Sequence, residues 1–335
     1  MAAEPRIYRW DDPGAPQPSN DQNAFYEVAK GVLVDGYGSH LPAGWSMVYD
    51  EWLNHGHAQF TNVTGSGVLG LVKDDSNGPD YFDCSIFVAD AMADATTAIN
   101  ARSGSVAIPD ITDITANTSR MGLRDSQHWV AIANENVAIF WVSNTASYLT
   151  TPNGRSGGVG FVLVVGALDS LRGLGSIAAP NPGNFFAVGG IFSTYSGKSW
   201  DGNEKVTTLR ASDGAITTTA QYGLIWPYCE DAYKYIGVSS SDSVVELTLL
   251  PVELWTSSST TQGYFYQVAR APMLLSSLSF TGAGNSSTKS NASYFTDRLG
   301  TGCFNLLSLA GKSCVIAPLP RESRIVVSME LEDWV

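Results

Sequence analysis

The stretch His128 to Val142, HWVAIANENVAIFWV, constrains the fold more than any other part of the chain. Two apolar runs flank the polar triplet Asn134-Glu135-Asn136. Alternating side chains on both sides of a short polar turn specify an antiparallel β-hairpin. A second run, Phe161 to Val165 (FVLVV), is apolar without interruption and follows the glycine-rich approach NGRSGGVG, which predicts a strand buried on both faces. Further strand signals lie at Val244 to Leu250 and Val252 to Trp255, interrupted by Pro251, at Tyr264 to Val268, and at Ile325 to Leu331.

Helical signals are few. Ala24 to Val34 carries Phe25, Val28, Ala29 and Val32 at helical spacing, with Asn20 and Asp21 upstream as caps. The stretch GYGSHLPAGW (Gly36 to Trp45) follows it. Gly36 and Gly38 can take the left-handed conformation that stops a helix. Pro42 and Gly44 turn the chain, so that Trp45 is expected to fold back over Val28 and Val32. A second, weaker helix is expected over Asp94 to Ala101, ending near Gly104. Long polar loops are read at Thr256 to Gly263 and Thr281 to Ser293, and a Gly/Ala/Pro-rich loop with one short helix between Leu168 and Asn184. Nine tryptophans are spread along the chain, each suited to filling space between a sheet and a covering loop. The expected class is α+β, mainly β: antiparallel sheets with few short helices and long polar loops. A mild shift of composition near Gly197 to Glu204 divides the chain into a β-rich lobe over 1–200, carrying the early helix, and a second β-rich lobe over 201–335. The two could also interlock as one domain.

Charge narrows the partners. With 19 basic and 32 acidic residues the net charge is −13, and no dense Lys/Arg run occurs, which argues against nucleic acid as a partner. Charged residues make up only 15%, against roughly 25% in ordinary soluble domains. The surface is therefore finished with Ser, Thr, Asn and Gly, a composition suited to an assembly or to work outside a cell. No apolar run approaches a membrane span, and the first residues lack the apolar segment of a secretory signal, so the expectation is a chain made in the cytosol with no membrane partner. Cys84, Cys229, Cys303 and Cys314 include no CxxC pair and read as buried free thiols, with disulfide pairing left open. The N-x-S/T triplets at Asn62, Asn117, Asn285 and Asn291 read as polar turns.

Tests for chemistry return little. GRSGG (Gly154 to Gly158) matches a nucleophile elbow, but it leads into a strand where such an elbow must open a helix. GSGVLG (Gly65 to Gly70) matches a dinucleotide fingerprint but is followed by a turn signal. His55-Gly-His57, preceded by Asp50 and Glu51, would place two imidazoles on one face if all three residues lay on a strand. The alternative is a polar turn, and a metal role stays open. The remaining histidines are His40 and His128, the latter at the start of the hairpin. Asp11-Asp12, Asp74-Asp75, Glu230-Asp231 and Glu330/Glu332-Asp333 are adjacent acids, which tend to point apart and suit turns better than a two-carboxylate cleft. The expectation is no catalytic residue, no cofactor and no metal ligand.

One resemblance runs through these segments. IYRWDDPGAP (Ile7 to Pro16) fits the pattern Y-x-x-x-D-x-G-A-P, Val34 to Gly38 fits V-x-G-Y-G at a helix end, and PAGW (Pro42 to Trp45) precedes a hairpin. Looser matches follow at Arg124 to Val142, Gly183 to Gly197 and Leu309 to Val335. Together they resemble a family of structural proteins from the virions of tailed bacteriophages. The resemblance implies a non-enzymatic part of the tail, the head–tail connector or neck, or the exterior decoration. It would be made in the host bacterial cytoplasm and assembled with other virion proteins, in symmetric copies. The second expectation is a tail module that binds a host-surface receptor or glycan through the loops at Thr256 to Gly263 and Thr281 to Ser293.

Overall fold

The computed structural model describes residues 4–17, 24–74, 83–99, 102–107, 128–143, 146–150, 159–170, 184–193, 205–208, 221–222, 250–257, 265–278, 303–309, 311–318 and 324–334. In chain order its elements are β1 (Arg6–Arg9), α1 (Ala24–Lys30), β2 (Ser46–Glu51), α2 (Trp52–His55), β3 (His57–Thr61), β4 (Val68–Asp74), β5 (Asp83–Ala89), β6 (Ala91–Met92), β7 (Ala98–Ile99) and β8 (Arg102–Ala107). Then come β9 (His128–Ala133), β10 (Val137–Ser143), α3 (Ala146–Thr150), β11 (Val159–Ser170), β12 (Asn184–Ser193), β13 (Lys205–Thr208) and β14 (Gln221–Tyr222). The last are β15 (Leu250–Ser257), β16 (Phe265–Leu278), β17 (Leu307–Leu309), β18 (Lys312–Pro318) and β19 (Arg324–Ser328). The fold is mainly β, built from antiparallel sheets with few short helices.

A 12-stranded sheet runs β1-β9-β10-β11-β16-β19-β18-β17, with β12 to β14 branching from β11 and β15 added to β16. Its pairings β12–β13 and β11–β16 join strands from the two sides of residue 200. A 5-stranded sheet runs β2-β3-β4-β5-β8, and β6 pairs with β7 alone. The expected hairpin is β9–β10, and FVLVV lies in β11 between β10 and β12. In β9 to β11 both faces of the sheet are apolar. Trp129, Ala131, Ala133, Ala138, Phe140, Val142, Leu163 and Val165 face the main core, which includes α1 and residues of the 5-stranded sheet. Val130, Ile132, Ile139, Trp141, Val162 and Val164 lie on the opposite face and are equally buried. Ala131 lies opposite Phe140, a small side chain against a ring, which lets the layers approach closely.

The helix and its stop form as the spacing predicts, with a change of pitch. α1 gives way to a π-helical turn over Gly31–Asp35, closed by the Gly36 N–H donating to the Gly31 carbonyl at 2.9 Å. Gly36 sits at φ 71° and Gly38 at φ 54°. The N–H groups of Ala43 and Trp45 then donate to the carbonyls of Val32 and Leu33 at 2.9 and 3.0 Å. The P-A-G-W turn thus satisfies acceptors that a helix end leaves open. Trp45 shares the main core with Val28 and Val32, and its ring meets Phe185 edge-on at 6.0 Å.

Three expectations are corrected. Of the helix expected over Asp94 to Ala101, the described residues 94–99 form none: Asp94 Oδ1 accepts the N–H groups of Thr96 and Thr97 at 2.8 and 2.7 Å and shapes the turn of the β6–β7 hairpin. A short carboxylate bonding the backbone ahead of it competes with helix formation, and the two β-branched threonines favour the extended form. Pro251 does not end a strand. β15 runs through it with a register shift between Pro251 and Val252, as a residue without an N–H requires inside a ladder. The closing strand stops at Ser328, and Leu331–Trp334 forms a 3₁₀ turn instead, because Asp333 and Trp334 fold inward. The caps Asn20 and Asp21, GRSGG, Cys229, Glu230-Asp231, the Gly/Ala/Pro-rich loop and the bulk of the two long polar loops lie outside the described residues.

Candidate functional site

The turn between β9 and β10 is where the molecule is tied together. Asn134 is fully buried, and its Oδ1 accepts the N–H groups of Asn136 and Val137, both at 2.9 Å. An Asn side chain closing its own turn is a local signal. The partners of the turn are distant. The Asn134 carbonyl accepts the Trp45 indole N–H at 2.9 Å, and Asn134 Nδ2 donates to the Trp334 carbonyl at 3.4 Å. The Glu135 carbonyl accepts the Val63 N–H at 3.0 Å. The Asn136 carbonyl accepts Asn62 Nδ2 at 3.3 Å and the Ala167 N–H at 3.0 Å. Four segments (the P-A-G-W turn, the β3–β4 turn, β11 and the C-terminal turn) therefore meet on three residues.

Next to it lies a clasp of the first residues. Asp12 Oδ2 accepts the Arg9 N–H at 2.8 Å and the Tyr37 hydroxyl at 3.0 Å, and lies 3.3 Å from His40 Nε2. The Tyr8 hydroxyl donates to the Leu41 carbonyl at 2.9 Å and Arg6 donates to the Pro42 carbonyl at 2.8 Å. Burial, with the Asp12 charge beside it, pushes the Tyr37 hydroxyl well above the ordinary tyrosine value. It stays a neutral donor. Trp129 Nε1 donates to the Pro16 carbonyl at 2.9 Å and closes the clasp against β9.

A third polar cluster holds the C-terminal turn. Lys312 Nζ lies 2.7 Å from Asp333 Oδ2 and 3.1 Å from Glu332. The Ser328 hydroxyl donates to Asp333, and Trp334 Nε1 donates to the Ser328 carbonyl at 2.6 Å. Serine, lysine and carboxylate are thus adjacent, but Ser328 is fully buried and its proton is committed to Asp333. The arrangement fastens chain and presents no nucleophile. Cys314 is a buried free thiol, and Cys303 is buried as well. Burial, then the charges of Asp333 and Glu330, push the Cys314 thiol up to about 11, which suppresses its reactivity.

On the flank of the 5-stranded sheet, Lys73, Trp52, Tyr26 and Lys30 form a ladder of cations and rings. Tyr26 stacks on Trp52 at 4.9 Å and 9°, while Lys73 and Lys30 cap the two faces at 5.1 and 5.7 Å. Asp50 accepts the Tyr26 hydroxyl and Lys30 Nζ, each at 2.7 Å. Burial opposes ionisation of Asp50, but the Lys30 and Tyr26 hydrogen bonds outweigh it and hold the carboxyl below its ordinary value. Burial and the Asp50 bond raise the Tyr26 hydroxyl to about 12. A depressed carboxyl stabilises the fold fully above the unfolded value of about 4, and that contribution fades as pH falls below it. Asp50→Asn is therefore expected to lower the urea midpoint at pH 7, with the difference from wild type shrinking steadily between about pH 5 and pH 3. A difference independent of pH would contradict the assignment.

The histidines do not converge. His55 ends α2, His57 opens β3, and Gly56 between them is left-handed, so the two imidazoles do not share a strand face. His128 packs edge-on against Trp10 at 5.4 Å. Adjacent acids diverge: Asp11 pairs with Arg9 at the surface while Asp12 turns inward, and Glu332 is exposed while Asp333 is buried. GSGVLG runs from a turn into β4, not into a helix. Among the described residues no group of three or more His, Cys, Asp or Glu is gathered for a metal ion. No described helix is long and apolar enough to cross a membrane. The turn at Asn134 was legible as a turn; its long-range partners carry no sequence signal. No known protein-family model matches the chain, and no curated protein matches it.

Proposed function

We propose that this chain is a non-enzymatic structural component of a tailed-bacteriophage virion, at the tail, the head–tail junction or the exterior. It is made in the host cytoplasm and acts by assembling with other virion proteins and with copies of itself. The observation that supports this reading is that the two stretches carrying the resemblance form one physical unit. Asp12 and Tyr8, from the first, bond Tyr37 and the Leu41 carbonyl, from the second. Gly38 approaches the Pro13 carbonyl so closely that a Cβ there would stand 2.1 Å from its oxygen. A motif whose parts are separated in sequence and meet in space describes a shared substructure. The polar clusters spend their hydrogen bonds on fastening both ends of the chain to the central hairpin, a design suited to a part that must hold its shape. Leu41 stands exposed beside the clasp and Val63 beside the β9–β10 turn, at 65% and 58%, and both are available for contact with neighbours.

The test is quantitative mass spectrometry of gradient-purified particles from a phage that encodes the chain, with antibody labelling to locate it. The expected result is a fixed copy number relative to the major shell protein. A chain that stays in the soluble lysate, at no fixed ratio to particles, would overturn the reading.

A further inference from the structure

Hairpin β6–β7 stands apart from both large sheets. Ala91 pairs with Ile99 and Met92 with Ala98, and none of residues 91–99 is buried. The hairpin is held from within: Asp94 shapes its turn, the Ala93 N–H donates to the Thr97 carbonyl at 2.8 Å, and the Asp90 N–H donates to the Ile99 carbonyl at 3.0 Å. A two-stranded ribbon this short is marginal in water by itself and depends on the surface beneath it.

That surface is the outer face of the 5-stranded sheet. Ala58 and Phe60 face the main core, so Gln59 between them points the other way. It sits opposite Gly70, which sits opposite Phe87, whose ring covers the glycine: a Cβ on Gly70 would come within 2.0 Å of it. Gln59 Nε2 donates to the Ala95 carbonyl of the hairpin at 3.3 Å. Its Oε1 is buried with no hydrogen-bond partner among the described residues, in a residue only 1% exposed. An amide closed off with one end unsatisfied penalises the shut arrangement, and a methionine of similar length would avoid that penalty.

We propose that β6–β7 is a flap poised to lift off the outer face of the 5-stranded sheet while the sheet stays folded, and that Gln59 sets the ease of lifting. Shut, only Nε2 of the amide is bonded. Open, both ends reach water. The inference is independent of the virion reading.

Native-state hydrogen exchange on the full chain tests it. In the wild type, amides of residues 91–99 should exchange at least about 10-fold faster than those of 57–72 and show no dependence on low denaturant, the mark of local opening. Gln59→Met should slow exchange in 91–99 on the order of 10-fold and leave 57–72 unchanged, because the orphaned oxygen no longer favours the open form. Exchange of 91–99 that tracks the sheet in wild type overturns the proposal without any variant. So does a Gln59→Met chain whose flap exchanges as fast as before or faster, or one in which only 57–72 moves.

Discussion

Asn134→Ala is expected to destabilise the fold by about 3 kcal/mol, a large share of the 5–15 kcal/mol that separates native from unfolded states. The side chain is small, and the loss does not come from apolar area. It comes from three groups left without partners: the N–H groups of Asn136 and Val137, and the carbonyl of Trp334. Each unsatisfied buried polar group costs roughly 1–3 kcal/mol. The neighbouring change Glu135→Ala is the control. Glu135 contributes its carbonyl to the hub through the Val63 N–H, and that carbonyl survives the substitution, so the expected cost is about 0.5 kcal/mol or less. Urea midpoints with unchanged slope measure both. Equal losses from the two changes would mean that the turn is not held by the Asn134 amide.

Gly36→Ala is expected to cost at least about 3 kcal/mol, from two sources. At φ 71° and ψ 179° the backbone is in a region that is essentially reserved for glycine. An added Cβ would also lie 2.4 Å from the His40 carbonyl oxygen, and 3.1 Å from the ring of Pro42. Both obstacles are backbone or ring, so neither can yield cheaply. Gly65→Ala separates the two contributions. Gly65 also has positive φ, 61°, but among the described residues nothing lies within 4 Å of its Cβ position, so only the conformational penalty of about 1 kcal/mol remains. Because Gly36 ends the π-helical turn and leads into Tyr37, the Gly36 variant should also disturb the clasp on Asp12. A Gly36→Ala chain as stable as Gly65→Ala would refute this account of the helix stop.

The same glycine shows how far sequence reasoning reaches. A helical apolar stripe followed by Gly-Tyr-Gly marks where a helix must end, because only glycine enters the left-handed region freely. It does not reveal that the end unwinds into a wider turn, since that depends on where the N–H groups of Ala43 and Trp45 arrive. Residues 94–99 are not helical for a related reason. Their apolar spacing was weak, and a single carboxylate with three bonds to the threonines ahead decided the local form. The His55-Gly-His57 pair illustrates the third kind of limit. Two residues apart means a shared face only inside a strand, and a helix end falls between them.

By itself the order of residues determined the hairpin of residues 128–142, the doubly buried strand after it, the early helix with its stop, and the antiparallel, mainly β class. Each rests on interactions between residues a few positions apart, or on a periodicity that any window of the chain displays. Only the tertiary structure decided that Asn134 accepts from Trp45 and donates to Trp334, that Asp12 meets Tyr37 and His40, and that Gln59 lies half-satisfied beneath a hairpin. Such contacts join residues tens to hundreds of positions apart. They are chosen by how whole layers pack, and no local pattern encodes that choice.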